Sequence, residues 1–257
     1  MNKLVYASDL DQTLIFSRSY LSEHPCSDEL VCVEHYMGKE LSYMSKSVQS
    51  ALVELMKDHK VKFIPVTTRD VMRYRRLNLG SRISPQYAIV ANGGVILHNN
   101  RPVPEWSRIV REQINCDEMS SIIHYCCARF VTRTTSVSIV DSVLILFKVE
   151  DTSEFDERIF DLQCQFQNWR FIRQGHKCYA IPKHVTKGAA LKWLADQIGA
   201  DFIVATGDGP LDLSMLRIAN MAIVPDTSGI EERFCLRAKN GAISALTTIN
   251  TVKMKIS

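Results

Sequence analysis

The chain has 257 residues, 46% hydrophobic and 23% charged, which is ordinary globular usage and enough for one large domain or two modest ones. Its 31 basic and 28 acidic residues leave a formal net charge of only +3, so no whole-chain field directs it to nucleic acid or to a membrane surface. Eight cysteines without C-x-x-C spacing predict reduced thiols in a cytoplasmic protein, and no apolar run approaches the roughly 18 residues of a membrane span.

In chain order, the apolar run Leu4–Ala7 reads as a first buried strand ending in a polar turn, and it is too short for a secretory signal. Leu30–Tyr36 and Glu40–Tyr43 flank Met37-Gly38-Lys39 and read as a hairpin just after that strand. Val48, Leu52, Leu55 and Met56 share a helical face behind the cap region Ser45/Ser47. Short buried strands recur at Val61–Val66 and Tyr87–Ala91.

The alternation breaks after Val95-Ile96-Leu97. Asn99 to Pro104 is rich in breakers, and Pro182–Thr186 forms a second such segment. Between them the pattern predicts one helix over Glu105–Phe130, strands at Arg133–Val140 and Val143–Val149, a helix at Ser153–Gln167, and strands at Trp169–Arg173 and Lys177–Ile181. Asp141-Ser142 and Gln174-Gly175-His176 supply the hairpin turns. The strand–helix alternation then resumes, with Leu191, Leu194 and Ile198 on one helical face and strands at Phe202–Ala205 and Met221–Val224. The expected architecture is α/β: a Rossmann-like parallel sheet with helices on both faces, formed by residues 1–98 and 187–257, and an inserted α+β unit of order αββαββ over 99–186.

Four short motifs sit where open α/β sheets place their ligand sites, at strand ends and helix starts. Asp9-Leu10-Asp11-Gln12-Thr13 follows the first strand. Its two carboxylates can divide labour, one attacking phosphorus while the other handles the proton of the leaving oxygen and then of water. Thr67-Thr68-Arg69 ends the strand through Val66, and Lys187-Gly188 opens a later helix, so a hydroxyl and an ammonium become available to phosphate oxygens. Gly207-Asp208-Gly209-Pro210-Leu211-Asp212 adds two acids after Ala205. Carboxylate oxygens are hard donors suited to Mg²⁺, which takes one or two of them and keeps several waters. Taken singly, each motif also reads as a cap, a turn or a surface lysine.

In their order and placement the four motifs resemble those of the haloacid dehalogenase superfamily, most closely its Cof-like and sucrose-phosphatase-like branch, whose α/β cap is inserted between the second and third motifs. Asn92-Gly93-Gly94 is similar to a turn common in that branch. The resemblance covers nearly the whole chain. It implies a magnesium-dependent phosphohydrolase in which Asp9 is the nucleophile and forms an aspartyl phosphate, Asp11 is the general acid/base, and Thr67 and Lys187 bind the transferring phosphoryl group. It further implies Mg²⁺ held by the Asp9 carboxylate, the Asp11 backbone carbonyl and Asp208, with Asp212 supporting it directly or through water, and Thr68 and Arg69 near the substrate.

The chain departs from that branch at two positions: Thr68 stands where glycine is usual, and Leu211 where asparagine precedes the last acid. The implied partner is a phosphorylated small molecule, a sugar phosphate first and a nucleotide or cofactor phosphate second, acted on by a monomer or weak homo-oligomer without nucleic acid or membrane. Candidate specificity residues are Arg133, Lys148, Arg173, His176 and Lys177 in the cap, with Arg73, Arg75, Arg76 and Arg82 behind Arg69; Trp106, Trp169 and Trp193 offer stacking faces. A phosphosugar mutase or other phosphotransferase on the same fold, or a binding module with weakened turnover, are the alternatives.

Overall fold

The computed structural model describes residues 3–130, 134–150, 153–232, 234–238 and 241–256. It divides into two compact units, one made of Met1–Val103 with Thr186–Ser257 and the other of Pro104–Val185.

The first unit begins with β1 (Leu4–Ser8), β2 (Phe16–Ser17) and α1 (Arg18–Glu23), followed by the hairpin β3 (Leu30–Tyr36) and β4 (Lys39–Ser45). Ser45 accepts from Val48 N–H at 3.3 Å and thereby caps α2 (Lys46–Leu55). β5 (Val61–Pro65), α3 (Val71–Arg75), β6 (Tyr87–Val90), β7 (Val95–His98) and β8 (Arg101–Pro102) complete this half. The unit resumes after the second unit with α7 (Lys187–Ile198), β13 (Phe202–Thr206), α8 (Leu213–Ile218), β14 (Met221–Pro225), β15 (Cys235–Ala238) and α9 (Ala245–Ile256).

A parallel sheet of order β15-β14-β13-β1-β5 forms the centre of the first unit. Alternation along each strand sends one set of side chains to each face. Leu4, Tyr6, Val61, Phe63 and Val204 cluster with Val48, Leu52 and Leu55 of α2 and Ile249 and Val252 of α9. Helix α8 packs on β13 and β14 and pairs with α7, so the sheet is covered by helices as expected for α/β alternation. Thr186 caps α7 through Ala189 N–H at 3.0 Å, and Gly199 closes it in the left-handed region at φ 65°.

The strand at Tyr87 departs from the parallel pattern. Ala91, Asn92 and Gly93 have φ of 50°, 56° and 96°, a turn that reverses the chain at once, so β6 pairs antiparallel with β7 in a separate sheet of order β6-β7-β8. It meets the main sheet at the parallel bridge Val66–Ile89, where Thr67 N–H donates to the Ile89 carbonyl at 2.8 Å.

The second unit contains α4 (Pro104–Glu112), α5 (Cys116–Phe130), β9 (Thr134–Val140), β10 (Leu144–Val149), α6 (Ser153–Gln165), β11 (Trp169–Gln174) and β12 (Lys177–Pro182). Its antiparallel sheet has order β11-β12-β10-β9. Ile145, Phe147, Trp169, Phe171, Cys178 and Ala180 on one sheet face form a separate core with Met119 and Ile122 of α5 and Phe155 and Leu162 of α6. The single helix expected over Glu105–Phe130 is two helices. Asn115 breaks it, its side chain accepting from Asp117 and Glu118 N–H at 3.0 and 3.1 Å as the cap of α5. Arg133, expected at the start of β9 and a candidate for specificity, lies outside the described residues. Among the described residues no helix is long and apolar enough to cross a membrane.

Candidate active site

The C-terminal ends of β1, β5 and β13 and the first turn of α7 bring Asp9, Thr67, Asp208, Asp212 and Lys187 into one region of the first unit. Asp9 continues β1, its N–H donating to the Thr206 carbonyl at 2.9 Å across to β13. The two motif acids that begin and end the site are therefore tied through adjacent strands.

Lys187 is the electrostatic centre. Its Nζ lies 2.5 Å from an oxygen of Asp9 and 2.5 Å from one of Asp212, and all three residues are buried. Burial alone would lower the ammonium pKa, but the charges of Asp212 and Asp9 and their hydrogen bonds outweigh it and hold it above the usual lysine range. Asp212 is used through both oxygens, the second accepting from the N–H groups of Asp208 and Gly209 at 3.1 and 3.0 Å. It fixes the loop on which Asp208 stands. Gly207 makes this possible, since a Cβ there would lie 2.4 Å from Asp212 Cγ.

Oxygens of Asp9, Asp208 and Asp212 all lie within 4.8 Å of one another. Three carboxylates against one ammonium leave an excess of negative charge in a dry setting. Burial, with the neighbouring carboxylates, pushes Asp9 well above the ordinary range and Asp208 up to about 7, while Lys187 pulls both down. Such a constellation of hard oxygen donors with unmet negative charge fits a divalent cation. Thr13 belongs to it as well, its hydroxyl lying 3.4 Å from Asp208 Oδ1, and Ser228 donates to the Asp208 carbonyl at 2.9 Å.

Asp11 takes a different direction. Its carboxylate is half exposed and is gripped by Arg69, whose Nε and Nη2 reach its two oxygens at 2.8 and 2.7 Å. Arg69 also donates to Glu34 Oε2 at 2.8 Å, so the guanidinium expected beside a substrate is engaged with two acids of the chain itself. Those charges and hydrogen bonds raise its pKa against the opposing effect of burial. Thr67 is buried and accepts from Arg69 N–H at 3.1 Å, while its carbonyl accepts from Asn92 N–H at 3.0 Å. Thr68 is half-buried, and Leu211 is buried at the position where the resembled branch carries an amide.

The other sequence candidates are spread through the fold. Arg73 pairs with Asp70, Arg75 donates to the Asn100 carbonyl, and Arg76 joins Glu34 at 3.0 Å, so three of these arginines are engaged within the first unit; the charge of Arg82 acts on Glu54. In the second unit Arg173 pairs with Asp156 at 2.7 Å, while Lys148, His176 and Lys177 are exposed. Trp106 and Trp169 are buried, the latter donating to Glu118 at 3.0 Å, and Trp193 is half-buried. Glu34 was not among the residues singled out from sequence; its partners Arg69 and Arg76, which flank α3, are distant in the chain, and an acid within a hairpin strand reads as a solvent-facing residue.

Residues 134–225, which include Lys187, Asp208 and Asp212, match the family model described as haloacid dehalogenase-like hydrolase. A sequence search of curated proteins finds no match. Solved structures share the fold along the whole chain. The sucrose-phosphatase of Synechocystis sp. PCC6803, solved with sucrose and phosphate, is 14% identical with a TM-score of 0.65 over 98% of this chain and 99% of that one. BT1666 from Bacteroides thetaiotaomicron, described among phosphatases of the haloalkanoate enzyme superfamily, is 15% identical with a TM-score of 0.61 over 99% and 95%. SMU.1108c from Streptococcus mutans UA159 is 14% identical with a TM-score of 0.67 over 99% and 100%. The family model thus identifies residues 134–225 as haloacid dehalogenase-like hydrolase sequence, and the solved structures, at 14–15% identity, share the fold.

Proposed function

We propose that this chain, haloacid dehalogenase-like in fold and over residues 134–225, is a Mg²⁺-dependent phosphohydrolase that cleaves a phosphorylated small metabolite through an aspartyl phosphate on Asp9. The observation that carries the reading is the buried set Asp9–Lys187–Asp212 beside Asp208, which combines a nucleophile, a fixed positive charge and a seat for a cation. Asp9 and Asp208 would hold the metal, with Asp212 already committed to Lys187 and to the loop N–H groups. When bound, Mg²⁺ supplies neutralisation of the phosphate charge and of the crowded carboxylates.

In the first step an Asp9 oxygen attacks phosphorus as the bond to the leaving oxygen breaks, and Asp11 gives that oxygen a proton. Water then attacks the phosphoryl group, Asp11 takes its proton, and the Asp9 carboxylate is released. Lys187 and Thr67 stabilise the spreading negative charge of the phosphoryl group, which is where positioned donors contribute most to phosphoryl transfer.

A sugar phosphate is the first substrate class to test, because a structural neighbour is a sucrose-phosphatase and the fold is shared along the full chain. Phosphate release should be measured across phosphorylated sugars, nucleotides and cofactor phosphates with and without Mg²⁺. The reading expects release from at least one class that stops on chelation and fails in Asp9→Asn. Release that is unaffected by either change would overturn it.

A further inference from the structure

Among the described residues, the charged side chains that are buried are Asp9, Lys187, Asp212 and one more, Glu34 of β3. The first three belong to the site; Glu34 has no part in the reaction as written. Its burial is itself a departure from strand alternation, since the adjacent Val33 is also buried. Register shifts on both sides of Glu34, between Cys32 and Glu34 and between Glu34 and His35, mark an irregularity of the bulge kind that re-aims a side chain.

Removing a carboxylate from water costs several kcal/mol, so such a group persists only when its oxygens are well matched. Glu34 meets that condition. Ser42 donates to Oε2 at 2.7 Å, Arg69 to the same oxygen at 2.8 Å, and Arg76 to Oε1 at 3.0 Å. Burial by itself would raise the Glu34 pKa, but these hydrogen bonds and the two guanidinium charges prevail and hold it below the usual glutamate range. Arg69 is thus pinned by Nη1 to a buried acid of the hairpin, while its Nε–Nη2 edge forks onto both oxygens of Asp11. A guanidinium is planar and rigid, so fixing one edge sets the plane of the carboxylate at the other.

We propose that Glu34 is a positioning residue for Asp11, acting through Arg69, so that the β3–β4 hairpin sets the geometry of proton transfer. This rests on the reading of Asp11 as the acid/base. Misplacement of an acid/base by about 1 Å can cost about 10²-fold in rate.

The test compares the parent with Glu34→Ala and Glu34→Gln on an alkyl phosphate and on an activated aryl phosphate, whose leaving group needs little protonation. In Glu34→Ala, kcat on the alkyl substrate should fall about tenfold or more relative to its fall on the aryl substrate, with KM little changed. Glu34→Gln keeps an acceptor for Arg69 and should recover most of the loss. A structural defect would scale both substrates alike, and that result in folded protein overturns the proposal. The second readout needs no turnover: the ¹⁵Nε–H signal of Arg69 should be protected from exchange in the parent and exposed in both Glu34→Ala and Asp11→Ala. An unchanged signal in Glu34→Ala overturns the proposal independently. If the parent hydrolyses neither ester, the phosphohydrolase reading is what fails, while the Arg69 signal still decides the Glu34 linkage.

Discussion

The ammonium of Lys187 and the carboxylate of Asp212 meet at 2.5 Å in a place from which water is excluded, and the same ammonium serves Asp9. Removing one partner of a buried ion pair costs about 3–5 kcal/mol because the other charge is left unmatched. Lys187→Met should therefore lower the urea midpoint by the equivalent of that loss. Mg²⁺ should restore part of it, since a cation bound to the folded state takes over the missing charge. A midpoint equal to the parent's with and without Mg²⁺ would show that Lys187 is not the counter-charge.

Two glycines hold the start of α7 where Lys187 projects. A Cβ on Gly93 would lie 2.2 Å from the Thr186 carbonyl oxygen, and one on Gly188 would lie 2.1 Å from that of Ser214; both obstacles are backbone. Gly93 also has φ of 96°, and Gly38 shares that feature at φ 73° with open space around it. Gly38→Ala should cost about 1–2 kcal/mol from backbone strain alone. Gly93→Ala should cost clearly more, and Gly188→Ala should also destabilise despite an ordinary φ. Equal denaturation midpoints for Gly38→Ala and Gly93→Ala would mean that the close approach to Thr186 is absent.

Asp28 reports on the opposite end of the hairpin. Hydrogen bonds from the Ser45 hydroxyl, the Ser47 N–H and the Glu29 N–H hold its carboxyl down at about 2. A pKa depressed on folding adds stability that is complete above the unfolded value of about 3.9 and lost as pH falls through the folded value. Stability measured by urea unfolding should therefore decline between about pH 4 and pH 2, and Asp28→Asn should flatten that part of the profile. An unchanged slope in the variant would place the acid sensitivity elsewhere.

The fold was legible where local chemistry repeats. Short apolar runs ending at acids marked β1 and β13, Ser45 announced α2, and Met37-Gly38 announced the hairpin. Asn115 followed by Glu118 is also a helix-start signature, and reading through it merged α4 with α5. The antiparallel placement of Tyr87–Val90 followed from three successive positive φ values at Ala91, Asn92 and Gly93, a reversal that an apolar run of four residues does not encode. In the site, Asp9, Lys187, Asp208 and Asp212 could be named because each stands at a strand end or helix start. Glu34 could not, because its meaning comes from a register shift and from Arg69 and Arg76, 35 and 42 residues away. The direction of Arg69, toward Asp11 and not outward, was hidden for the same reason.

In the proposed reaction Asp9 becomes phosphorylated while Asp11 manages the proton, and acid-quenched mass spectrometry separates the two roles. Asp11→Asn supplied with an activated aryl phosphate and Mg²⁺ should still phosphorylate Asp9 but lose the base that activates water. General acid/base contributions run to about 10²–10⁴-fold, enough for the phosphoenzyme to accumulate. One added phosphate is expected on the peptide containing Asp9 in Asp11→Asn and none in Asp9→Asn, whose nearly isosteric amide preserves the fold but not the nucleophile. Phosphate on a different peptide, or Asp9→Asn protein that hydrolyses any substrate at the parent's rate, would contradict it.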